Sequence, residues 1–156
     1  MIYLIGVWHN VQFWNESDYR YKQRDINNFS LHLKNMVRKY DVIMIGEEFN
    51  KEAMEKNNAT HCTTQDVATN LGIMHKWCDP DSRERQNCRG DLMRFREEYW
   101  FKQISDLADK AIIFICGSNH LESFRKVIET AGFKTKILSR DWGSDLERKK
   151  ALNIED

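Results

Sequence analysis

Ala111–Gly132, AIIFICGSNHLESFRKVIETAG, is the stretch whose reading decides the fold. Ala111–Cys116 is an unbroken apolar run of strand length, the pattern of a strand covered on both faces in a parallel sheet. Gly117 permits a sharp bend, Asn119 stands where a helix cap would, and Glu122 follows it by three positions in capping-box spacing. Leu121, Phe124, Val127, Ile128 and Ala131 then mark one helical face, and Gly132 occupies the place of a left-handed terminator. The stretch therefore predicts a buried strand, a turn and a helix, with His120 in the first helical turn beyond the strand's carboxyl end. Open α/β sheets bind their ligands at such ends. The plainer alternative is that His120 decorates an exposed helix start.

Two more apolar runs resemble the first. Met1–Val7, MIYLIGV, ends at Trp8, His9 and Asn10, and Asp41–Gly46, DVIMIG, runs straight into Glu47 and Glu48. Ile73–Cys78 is a less regular third strand leading to Asp79, and Phe133–Leu138 alternates apolar with polar residues, as a strand near a sheet edge does. Between them, helical periodicity appears at Ile26, Phe29, Leu33, Met36, Val37 and Tyr40, with His32 off that stripe and so expected in solvent. Thr63 and Asp66 signal a helix closed by Gly72. Leu92, Phe95, Tyr99, Trp100, Ile104, Leu107 and Ala108 read as the apolar side of a long helix.

Alternation of this kind implies a single α/β domain over 1–141, with a mostly parallel sheet of about five strands and helices on both faces. Residues 142–156 read as a tail or a docked helix. With 156 residues, a second domain is not expected. Lys plus Arg and Asp plus Glu number 24 each, so the net charge is zero, which argues against a dedicated nucleic-acid or membrane-surface binder. No apolar run reaches membrane-spanning length and no leader pattern precedes the first strand, so a cytoplasmic location is expected. Cys62, Cys78, Cys88 and Cys116 form no CxxC pair. A disulfide framework is not expected, and His75, Cys78 and Cys88 could gather zinc only in a spacing that fits no standard site.

In a parallel sheet all carboxyl ends share one rim, so His9, Glu47 or Glu48, Asp79 and His120 can converge there. Neighbours on an extended chain point to opposite sides, so only one of Glu47 and Glu48 can easily face a common pocket. Two imidazoles and a carboxylate, His9, Glu48 and His120, could bind a divalent metal such as manganese, cobalt or zinc that activates water. The same groups could instead run metal-free acid–base catalysis. No nucleophile elbow, Walker motif, dinucleotide fingerprint or HExxH is present, which leaves water as the natural nucleophile. A competing reading is a binding module for an anionic ligand, a nucleotide or phosphorylated metabolite, held by Asp79, Arg83, Arg85 and Asn119.

Gly6-Val7-Trp8-His9, the Glu47-Glu48 pair and Gly117-Ser118-Asn119-His120 together resemble the superfamily that joins the TraB and TIKI proteins, the ChaN-like haem-binding proteins and the erythromycin esterases. Its pattern is a GxxH after the first strand, an acid after the next and a second GxxH before a helix. Val7 and Trp8 depart from the smaller or polar residues usual there. The chain is also shorter than most members, which leaves little room for the insertions that shape their clefts. The resemblance implies a site centred on His9, Glu47 or Glu48, and His120 and leaves its chemistry open; the leading expectation is a small hydrolase, metal-assisted as in some members, acting on a small-molecule or peptide substrate. Because members include a peptidase, esterases and a haem binder, it implies no particular substrate.

Overall fold

The computed structural model describes residues 1–143. Three all-apolar runs become the middle of the sheet. Strand β1 spans Ile2–Val7, β3 spans Met44–Glu47 and β6 spans Ile112–Gly117, and nearly every residue of all three is buried. The edges are β5, Met74–Trp77, and β7, Thr135–Trp142. The order is β5-β3-β6-β1-β7, and every pairing is parallel. Strand β6 lies between β1 and β3, so the carboxyl ends of these three strands stand side by side.

Each face of the sheet is covered by a helix pair. One cluster packs Phe29, Leu33 and Val37 of α1 (Glu16–Lys39) and Val67 and Ala68 of α3 (Thr63–Leu71) onto Ile5, Ile45, Ile113 and Ile115. The other packs Trp100 and Ile104 of α5 (Leu92–Ile104) and Phe124 and Ile128 of α6 (Leu121–Thr130) onto Leu4, Met44, Ile112 and Phe114. Alternate strand residues supply the two faces, as the two-residue period of a strand requires. This is the α/β architecture expected from the sequence.

Several details differ from the sequence reading. Helix α1 begins at Glu16, well before the apolar stripe at Ile26, because its first turns are polar and carry no period. Two short elements, β2 (Phe13–Trp14) and β4 (His61–Cys62), pair antiparallel as a separate ribbon beyond the sheet. Asn119 caps nothing. Residues Ser118–His120 tighten into a 3-10 turn, Asn119 is exposed, and His120 takes the cap position without a side-chain cap bond. His32 is not a solvated residue: it stacks on Trp142 at 4.3 Å with Nε2 buried. Gly72 (φ 67°) and Gly132 (φ 87°) close their helices in the left-handed region as expected. Strand β7 continues to Trp142, and the expected tail or docked helix lies otherwise outside the described residues. Among the described residues, no helix is long and apolar enough to cross a membrane.

Candidate active site at the carboxyl rim

His9 follows β1, Glu48 follows β3 and His120 follows β6, and all three line one cavity of about 650 Å³. Gly117 is what lets them approach. A Cβ there would stand 2.9 Å from His9 Nε2 and 3.4 Å from Glu48 Oε2, while the Gly117 amide donates to Glu48 Oε2 at 2.7 Å. Trp8, 57% exposed, forms the lip. Its indole N–H donates to Asp141, which also accepts from Ser118 Oγ.

Both histidines are held from behind by buried carboxylates. Glu97, 2% exposed on α5, accepts from His120 Nδ1 at 2.8 Å and from Ser123 Oγ at 2.6 Å. That leaves His120 Nε2 toward the cavity, 3.5 Å from Glu48 Oε1. His9 is oriented at one remove. Gln12, fully buried, donates its amide N–H to Glu47 Oε2 at 3.0 Å, and its carbonyl oxygen stands 2.6 Å from His9 Nδ1. A carboxylate only accepts, so the Gln12 NH₂ must face Glu47 and its oxygen must face His9. His9 therefore carries its proton on Nδ1, and the Nε2 lone pair faces the cavity.

Glu47 and Glu48 diverge, as alternation demands. Glu47 turns away from the rim, which corrects its place among the expected site residues. Fully buried, it accepts from Thr64 Oγ1 at 2.6 Å, His75 Nε2 at 2.7 Å and Cys62 Sγ at 3.0 Å. Burial pushes its carboxyl up, but the hydrogen bond and charge of His75, aided by Thr64 and Cys62, outweigh that and hold it below the ordinary value. Burial, then the Glu47 charge, pushes the Cys62 thiol well up.

Glu48 is balanced by Arg96, which donates to Glu48 Oε1 at 2.6 Å and to Asp79 Oδ1 at 2.8 Å and lies over the Trp100 ring. Burial alone would weaken the Arg96 charge, but the Asp79 hydrogen bond and the two carboxylates raise its hold on the proton. Asp79 also accepts from Trp100 Nε1 at 2.8 Å and from Arg85.

The expected metal ligand set, His9, Glu48 and His120, thus needs correcting. The three share a cavity, but both Glu48 oxygens are already engaged, one by a guanidinium whose charge repels a cation. Among the described residues, the ligand atoms that all lie within 4.8 Å of one another belong to Glu47, Cys62 and His75, a group that could hold a metal ion. His75 joins neither Cys78, whose thiol meets the Lys76 carbonyl, nor Cys88, whose thiol meets that of Gly90.

The expected anion-binding set is dispersed. Arg85 is committed to Asp79, Arg83 is exposed, and of the four only Asn119 lines the rim cavity. Both arginines sit on α4 (Ser82–Arg85), which is capped by Asp81, and neither lines the rim cavity. Sequence reasoning missed Gln12, Arg96 and Glu97. The last had a usable signal, since Glu97 precedes Trp100 by three and Ile104 by seven and so shares their buried face. No protein-family model, curated protein or solved structure matches the chain, so the functional reading rests on the geometry just described.

Proposed function

We propose that the rim is the active site of a small hydrolase that uses water as nucleophile and paired histidines as acid and base. The observation that carries this is the matched anchoring of His9 and His120. Each imidazole is held at Nδ1 from behind and offers Nε2 to the same cavity. His9 Nε2, with its lone pair free, takes a proton from a water placed over Gly117. His120, held at Nδ1 by Glu97 and with Glu48 near Nε2, gives a proton from Nε2 to the leaving group. Positioned proton transfer of this kind contributes roughly 10²–10⁴-fold. Glu48 and Asp79 are matched by Arg96 and Arg85, two carboxylates against two guanidiniums, so their charges offset one another.

The resemblance of the two GxxH motifs and the intervening acids to the TraB, TIKI and erythromycin esterase superfamily supports the same reading. It brings metal-assisted hydrolysis with it, but Glu48 could bind a metal only by giving up Arg96, so no step here passes through one. The test is a panel of chromogenic esters, amides and phosphoesters, with His9→Ala and His120→Gln compared with the wild type. Turnover should fall about 10²-fold or more in each variant while far-ultraviolet circular dichroism stays unchanged. Turnover that survives either substitution sinks the assignment.

A further inference from the structure

We infer that Glu47, Cys62 and His75 form a second site, separate from the rim, which takes a zinc or cobalt ion and ties β3, β4 and β5 together. Glu47 ends β3, Cys62 sits in β4, His75 lies on the edge strand β5, and Thr64 adds its hydroxyl from the first turn of α3. Oxygen, sulfur and nitrogen thus arrive from separate elements at one point. The point is almost wholly buried: Glu47 is 0% exposed and the His75 side chain 10%.

Three features select the occupant. The first is charge, because a dication with one thiolate, one carboxylate and a neutral imidazole sums to zero, which suits a water-poor interior. The second is softness. One sulfur and one imidazole nitrogen favour zinc or cobalt, whereas magnesium, calcium and manganese prefer all-oxygen sites. The third is placement: Cys62 stands at the N-terminus of α3, whose dipole favours the anionic sulfur that burial and Glu47 disfavour until a cation arrives.

The contacts around Glu47 Oε1 are now hydrogen bonds of 2.6–3.0 Å. With bonds of about 2.0–2.3 Å to a central ion, tetrahedral ligands stand farther apart, so the group opens by roughly 0.5 Å. On binding, the Cys62 thiol gives up its proton to solvent, and His75 meets the ion through the Nε2 lone pair with its ring proton on Nδ1. Thr64 Oγ1, 2.9 Å from Cys62 Sγ and 3.3 Å from His75 Nε2, or a water completes the fourth position. The site stands whether or not the rim hydrolyses anything.

The test uses the whole chain, reduced, freed of metal and titrated with cobalt(II). A thiolate-to-cobalt band in the near ultraviolet, with the visible intensity of a four-coordinate ion, should saturate at a single equivalent and vanish on adding zinc. The band should persist in Cys88→Ser and disappear in Cys62→Ser. Should Cys62→Ser fail to fold, X-ray absorption at the zinc edge of the loaded wild type decides instead, and a single sulfur among nitrogen and oxygen neighbours is expected. A wild type with no band, a band that survives Cys62→Ser or is lost in Cys88→Ser, or a zinc edge showing no sulfur or several, overturns the site.

Discussion

Gly117 joins the sheet to the rim through what it lacks. Its backbone, at φ −58° and ψ 142°, suits any residue, so the requirement is for space and not for conformation. Gly117→Ala puts a methyl group 2.9 Å from His9 Nε2, at the far end of a partly exposed ring that can swing aside. The expected outcome is therefore a protein within about 1 kcal/mol of wild-type stability by urea unfolding, with turnover reduced by roughly 10²-fold, since misplacing a catalytic group by an ångström costs that much. Equal losses of stability and activity would show that Gly117 is structural only. The Glu47-Glu48 pair shows what a sequence discloses at this scale. Alternation says that the two carboxylates part company, but which one meets the rim depends on the direction of β3 across the sheet, a tertiary fact.

Helix α5 carries more of the site than its apolar pattern announced. The stripe drawn from Leu92 to Ala108 holds at Trp100, Ile104 and Ala108, all buried, but not at its start: Leu92 is exposed, and Glu97 takes a buried place that the stripe left out. A buried charged residue does not register in a hydrophobic period, so Arg96 left no trace and Glu97 only its spacing from Trp100 and Ile104, while the apolar runs behind β1, β3 and β6 were plain. The ribbon of β2 and β4 is too short for any period. Trp100 is fully buried against Phe114, Phe124 and His120 and donates to Asp79. Trp100→Ala should cost about 3–5 kcal/mol. Trp100→Phe keeps the ring and leaves Asp79 its arginines, so it should cost only about 0.5–1.5 kcal/mol beyond the lost volume. Chemical denaturation monitored by circular dichroism measures both, and equal costs for the two would mean that ring packing is not what Trp100 contributes.

The whole molecule has an acid limit set by groups on the side of the sheet that α1 covers. Burial lowers the pKa of His32 from its ordinary 6.5, so the unfolded chain binds a proton more readily and stability falls as the pH drops below that value. Glu47 is also held below its ordinary 4.5, and its contribution, complete above that value, is lost as the pH falls through its folded pKa. Stability measured by thermal unfolding should therefore fall in two stages on acidification. His32→Phe should remove the upper stage and Glu47→Gln the lower. A single stage unmoved by either substitution would contradict this account. The strand order has a further consequence, for the chain during its synthesis. Strands β1 and β3 never touch; each pairs with β6, which follows them by more than sixty residues. A ribosome that has delivered everything up to residue 111 has therefore released two apolar strands with the seat between them empty. Contacts that distant in sequence form slowly and leave edges exposed to other chains in the meantime. The segment that brings His120 to the rim also fills that seat, so a nascent chain joins the strands that carry His9 and Glu48 in the same step that places His120 beside them.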